Sequence, residues 1–254
     1  MQPTICGRSA TRGLTVCAAA SALCAATAQA APMFYFGEDL NSSDGSRLAS
    51  YPNAVAARMT FESNLLDPST IDFESVPTGT GGLDSLSMGP NGNASLDGGA
   101  VALLATGTDG EGRYPLSGDK FVAGGIGVTE MLDFDFDTPQ VGFGLNIVDA
   151  GDFGGQLVAV VTYAFGPRGE APPAEEAFQI PHTLGVAGNT SGSVLFWGWI
   201  DPENPITSVR IVSTSPATDA IGIDDVTAST QIPAPGAGVG LLIGLATIAT
   251  RRRR

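Results

Sequence analysis

Cysteine, histidine and lysine are almost missing from this sequence. Of 254 residues, three are Cys and one is His, and Lys120 is the sole lysine. Cys6, Cys17 and Cys24 all fall in the first 30 residues. The remainder therefore has no disulfide, no thiol nucleophile and no thiolate metal site. A lone histidine, His182 beside Pro181, leaves no imidazole cluster for a transition metal and reads as structural. There is no Gly-x-Ser-x-Gly elbow and no glycine loop ending in Lys that would cradle phosphate. Basic residues are scarce too. Twelve Lys+Arg stand against 26 Asp+Glu, a formal net charge of −14. Phosphate contacts need clustered cations, so nucleic acid is excluded as a partner.

The cations that exist gather at the ends. Arg8 and Arg12 precede an apolar run from Leu14 to Ala26, and Ala28-Gln29-Ala30 supplies small residues for cleavage after Ala30. Residues 1–30 thus read as a secretory signal peptide, the substrate of signal peptidase. At the other end Ile232-Pro233-Ala234-Pro235-Gly236 leads into an apolar stretch, and Arg251, Arg252, Arg253 and Arg254 close the chain. Fifteen helical residues from Gly236 to Thr250 rise only about 22 Å, against the roughly 30 Å of a hydrocarbon core. A short transmembrane helix with a cytoplasmic arginine tail suits a transient anchor. Six of the 12 basic residues belong to these ends and no acid does. The body, 31–231, therefore carries 26 acids against six bases, a net of −20. Such a surface repels anionic polymers and offers carboxylates to divalent cations.

Within the body, apolar runs of five to nine residues alternate with Gly/Pro/Asn/Asp/Ser clusters. That spacing predicts one all-β domain, an antiparallel β-sandwich. Strands are expected over 70–76, 100–106, 120–128, 132–137, 141–148, 157–165, 177–181, 194–200, 206–213 and 220–228. Leu132-Asp133-Phe134-Asp135-Phe136-Asp137 alternates strictly, so Leu132, Phe134 and Phe136 should point inward and the aspartates outward. Leu157 to Val161 is nearly continuous and reads as a central strand buried on both faces. One helix is expected over 53–66, with Val55, Met59 and Leu66 on its apolar face, Ser50 or Asn53 as cap, and Asp67-Pro68 as stop.

Three sets of residues carry candidate chemistry. Asp72 and Glu74 sit on one face of the first expected strand, and Asp224 and Asp225 lie on the last. First and last strands of a sandwich are commonly neighbours, so these four carboxylates are candidate ligands for a structural Ca²⁺. Asp149-Ala150-Gly151-Asp152-Phe153-Gly154-Gly155 is a second acidic segment. It lacks EF-hand spacing and reads as a tight turn. Trp197 and Trp199 share one face of a strand. Exposed, they would stack against sugar rings; buried, they fill the core. Paired carboxylates for glycoside cleavage are not identifiable by spacing, since they come from anywhere in a chain.

Pro233 to Arg254 resembles the PEP-CTERM sorting signal of Gram-negative bacteria, with Ala234 where that family usually has Glu. The body resembles the exported jelly-roll-like modules of such proteins. The matching pieces are Phe36-Gly37-Glu38-Asp39-Leu40-Asn41, Pro52-Asn53-Ala54, Ile71-Asp72-Phe73-Glu74, Val141-Gly142-Phe143-Gly144 and Ile221-Gly222-Ile223-Asp224-Asp225-Val226. The resemblance implies a carbohydrate-binding-module-like sandwich and recognition by an exosortase-like membrane protease. It also implies delivery to the cell surface or extracellular matrix. The expectation is a structural or adhesive protein rather than an enzyme. A glycan-binding module, with extracellular polysaccharide as partner, is the alternative, and a glycosidase or polysaccharide lyase the second alternative.

Overall fold

The computed structural model describes residues 31–41, 46–152, 154–165, 174–185 and 190–233. The signal peptide and the sorting motif, Pro233 apart, lie outside the described residues. The elements are β1 (Met33–Asp39), α1 (Pro52–Ser63), β2 (Ser69–Ile71), β3 (Gly81–Ser87), β4 (Asn93–Leu103), β5 (Lys120–Ile126), β6 (Leu132–Gln140), β7 (Gly142–Val148), β8 (Leu157–Tyr163), β9 (Ala174–Gln179), β10 (Val194–Ile200), β11 (Ile206–Ser213) and β12 (Asp219–Ser229). No helix among the described residues is long and apolar enough to cross a membrane.

The strands form one continuous antiparallel path, β1-β10-β7-β12-β5-β4-β6-β11-β8-β9, with β2 added beside β12 and β3 beside β4. The path folds over on itself to make the two layers of an antiparallel β-sandwich. β4 makes the corner. Its first half, Ala94–Asp97, pairs with β6, and its second half, Ala100–Leu103, pairs with β5. Between them Gly98 and Gly99 both take positive φ, 83° and 69°. A Cβ at Gly98 would sit 2.1 Å from the Met131 carbonyl oxygen, so only glycine allows the bend.

The main core lies between the layers. β6 alternates as its sequence requires: Leu132, Phe134 and Phe136 are buried, and Asp135 and Asp137 are exposed. β8 corrects the expectation of a strand buried on both faces. Its burial alternates: Leu157, Ala159, Val161 and Tyr163 are buried, and the residues between them are partly exposed, so only one face meets the core. β1 and β3 lie outside the expected strands. Both are edge-type strands of mixed polarity, in which the two-residue apolar alternation is weak.

A second core forms on the outer face of β1, β10 and β7, where α1 covers the sheet. The helix starts and stops near the expected bounds but docks through a different face. Val55, Met59 and Leu66 are exposed, and Ala54, Phe61 and Leu65 are buried. Close approach selects the small side chain over the larger ones. A Cβ at Gly37 would fall 2.1 Å from the Asn53 carbonyl oxygen. Phe61 then lies over Gly144 and Gly198, which face each other across β7 and β10. A Cβ at either glycine would come within 2.7–2.8 Å of an aromatic ring, Phe196 or Phe61. The Trp197-Gly198-Trp199 pattern follows: indoles point to the main core, and the glycine opens the other face to Phe61. The cap is supplied from β1, not from Ser50 or Asn53. Asp39 Oδ2 accepts the Ala54 N–H at 2.9 Å, and Oδ1 accepts that of Asn53 at 3.3 Å. A carboxylate at a helix N-terminus is favourable by charge as well as by hydrogen bonding.

Candidate functional site: an aromatic seam

The curled sheet does not close. Its two edge strands, β1 and β9, come side by side without pairing. Alternation on β1 aims Phe34 and Phe36 inward, opposite Trp199 and Trp197 of β10. Phe178 of β9 comes from the other layer, opposite Ala159 of β8. Phe34 and Phe178 meet across the gap with ring centroids 5.0 Å apart, tilted by 55°. Phe34 also lies 6.4 Å from the Trp197 ring. Together with Phe36, Gln179 and Pro181 these residues line a slot of about 310 Å³.

The slot is apolar, open and lined by rigid rings. Phe34 is 47% exposed and Phe36 is 36% exposed. Trp197 is only 1% exposed, yet it forms part of the lining, and its Nε1 has no acceptor among the described residues. A buried indole N–H normally finds a partner. Outside the slot, Glu38 of β1 bridges to the strand-exit segment after β9. Its carboxylate accepts the Thr183 N–H at 3.0 Å and the Thr183 hydroxyl at 2.7 Å. This cross-link fixes one end of the seam. His182 is used in the same corner: its Nε2 accepts the Leu157 N–H at 2.9 Å. Burial pushes its pKa down and favours the neutral, accepting ring.

The tryptophan pair is thus buried and does not form an exposed platform. Trp199 lies fully inside, 6.4 Å from the Tyr163 ring, and its Nε1 too lacks an acceptor. Trp197 alone reaches a ligand-accessible space, as its inner wall. No spacing pattern joins Phe34, Phe36 and Phe178, because the slot brings together strands about 140 residues apart in sequence. The Phe34-Tyr35-Phe36 alternation was the visible signal.

The four expected calcium ligands are placed as follows. β12 does lie beside the first part of the chain, since Val226 pairs with Ile71 of β2. β2 stops at Ile71, however, so Asp72 and Glu74 do not share a strand face. Phe73 between them takes φ 60°, and Asp72 Oδ1 accepts the Glu74 N–H in a local turn. Glu74 Oε1 turns to the N–H groups of Asp119 and Lys120, at 2.8 and 2.7 Å. Asp224 is fully buried. Its Oδ2 accepts the Leu116 and Ser117 N–H groups at 2.8 and 2.9 Å, and its Oδ1 accepts that of Asp225 at 2.7 Å. Burial still pushes its pKa up to about 7. Asp225 takes the Ser117 hydroxyl and the Arg58 guanidinium. These carboxylates are tied to protein donors, not gathered round one point. Among the described residues no group of three or more acidic, His or Cys side chains forms a metal cluster.

No family model matches the chain, and no curated protein sequence does. Solved structures give only distant likenesses. The K2 cleaved adhesin domain of Lys-gingipain aligns with a TM-score of 0.35 at 14% identity, over 64% of this chain and 97% of that one. The module TmCBM61, in complex with β-1,4-galactotriose, aligns at 0.27 and 11%, over 54% and 88%. A family 11 carbohydrate-binding module from Clostridium thermocellum, in complex with a β-1,3-1,4-mixed-linked tetrasaccharide, aligns at 0.27 and 10%, over 65% and 96%.

Proposed function

We propose that this is an exported β-sandwich protein of the cell surface or extracellular matrix. In this reading it is delivered by signal peptidase and an exosortase-like protease, and it adheres to neutral extracellular polysaccharide through the β1/β9 seam. The observation that carries the reading is the slot itself. Aromatic rings on both walls suit the C–H faces of a pyranose ring. The Trp197 N–H, without an acceptor among the described residues, suits a ligand that brings hydroxyl or ring oxygens. A purely apolar ligand would leave it unmet.

Two further features support binding rather than turnover, and a neutral rather than an anionic glycan. None of the six residues lining the slot is a carboxylic acid, whereas glycoside hydrolysis needs two flanking the scissile bond. The body's net charge of −20 disfavours approach of an anionic polymer.

The test is affinity electrophoresis of the purified protein through gels containing neutral polysaccharides. Retardation by at least one, abolished by Phe34→Ala with Phe36→Ala, is the expected result. Unchanged retardation of the double variant, or none for the native chain, would overturn the reading. Sorting has its own test: with Arg251–Arg254 deleted, the protein is expected to remain unprocessed at its C-terminus and to fail to reach the surface.

A further inference from the structure

The segment after β9, residues 180–185, carries Pro181 of the slot wall and Thr183 of the cross-link to Glu38. Its two ends are tied down. The Ile180 N–H donates to the Leu157 carbonyl at 2.9 Å, and the Gly185 N–H donates to the Gly151 carbonyl at 3.1 Å. Between them His182 turns inward. Its Nε2 accepts the Leu157 N–H at 2.9 Å, and its Nδ1 lies 3.2 Å from the Thr183 carbonyl oxygen. An accepting Nε2 leaves the ring hydrogen on Nδ1, which donates to Thr183. A Cβ at Gly151, in the turn after β7, would fall 2.8 Å from the ring, so the imidazole is packed as well as bonded.

This arrangement requires a neutral ring. A protonated imidazole donates from both nitrogens, and its Nε2–H would face the Leu157 N–H. The carbonyls of Thr183 and Gly155 favour the charged ring, but one nitrogen cannot accept from Leu157 and donate at once. Glu38 on β1 also favours protonation. Across Gly151 stands Asp219, whose Oδ2 accepts the Gly151 N–H at 2.9 Å, with Asp152 hydrogen-bonded to it. Gln156 and Leu157, at the start of β8, add no charge. Burial outweighs these influences and lowers the ring's pKa from its ordinary value. With the folded value depressed, the ring's contribution to stability is full above the ordinary histidine value and is lost as pH falls.

We propose that His182 is a positioning residue for the seam: neutral, it holds Pro181 and Thr183 in place against β1; protonated, it releases them, and the seam gives up its polysaccharide in acid. Thr183 is the hydrogen-bonded tie between this segment and Glu38, so freeing it unmakes one end of the slot. The inference rests on the seam as the polysaccharide site.

The test follows two quantities from neutral to acidic pH. One is affinity for a neutral polysaccharide that retards the native protein. The other, in the ligand-free protein, is the NMR titration of the single imidazole beside the exchange protection of the Leu157 and Thr183 amides, corrected for the intrinsic effect of pH. Affinity should fall about tenfold per pH unit below the ring's midpoint, because only the neutral fraction is competent. Protection of both amides should be lost with that same midpoint. His182→Gln, whose side-chain oxygen accepts without titrating, should bind at neutral pH and lose this acid response. An equal acid loss in His182→Gln would assign the effect to carboxyl groups and overturn the proposal. So would a native affinity that stays level while the ring protonates. If His182→Gln does not fold, amide protection that persists through the ring's titration overturns the proposal by itself. No retardation at any pH, with ring and amides still titrating together, overturns the polysaccharide reading alone.

Discussion

Strand β1 has two faces, and they meet opposite fates. On the outer face, Tyr35 points at Phe61 of α1, with ring centroids 5.6 Å apart, and the helix seals the sheet. On the inner face, Phe34 and Phe36 reach the rim of the core and remain partly in solvent. The outer face closes because Gly37, Gly144 and Gly198 let a helix and one phenylalanine sit directly on the backbone. The inner face stays open because β9 brings Phe178 to the seam but does not pair with β1. Aromatics on the sealed face serve stability, and aromatics at the seam are free to serve binding.

Substitutions on the sealed face should therefore cost most. Phe61→Ala removes a fully buried ring with nothing to refill the space, and should lower unfolding free energy by about 3–5 kcal/mol in urea titration. Gly37→Ala should cost about 1–3 kcal/mol, because its Cβ meets backbone at Asn53 that has no side-chain freedom to yield. A smaller loss would show that α1 floats on the sheet rather than docking.

The pH response is next. Asp224 has its folded pKa raised above the ordinary carboxylate value, to about 7. The native state then holds a proton that the unfolded state releases. Its contribution is full below about pH 4 and is lost as pH rises toward 7. Tm measured with chelator present should fall across that window, and Asp224→Asn should make the fall shallower. A Tm that climbs throughout would show that the three N–H donors outweigh burial at this carboxylate. At the seam, Phe34→Ala should change stability least, by about 1 kcal/mol or less, because nearly half of the residue is already in water. Its effect should appear in polysaccharide retention instead.

Much of this architecture was legible in the order of residues. The strict alternation of β6 and the runs of β7, β10, β11 and β12 reported strands, and the all-β sandwich followed from their spacing. The helix was legible in extent but not in orientation. Hydrophobicity favours Met59, whereas the docking surface required something small beside Gly37 and one ring over two glycines, a matter of fit that no linear pattern contains. The acids show the same limit. Spacing suggested that Asp72, Glu74, Asp224 and Asp225 gather, but N–H donors from Leu116 to Lys120 claim Glu74 and Asp224, and the Ser117 hydroxyl claims Asp225. Asp152 and Asp219, 67 positions apart, do meet, because β7 and β12 are neighbours in the sheet. The seam was hidden for a related reason. It exists only because the path of strands returns to its start, and that return depends on the two glycines at the bend of β4.

The most direct measurement is a binding titration of one neutral polysaccharide that retards the native protein, against the native chain and Phe36→Ala, each first shown to unfold at the same temperature. Binding weakened on the order of tenfold or more in Phe36→Ala, as expected for loss of a stacking ring at a binding centre, is the predicted result. Equal affinity with equal stability would contradict the assignment of the seam as the binding site.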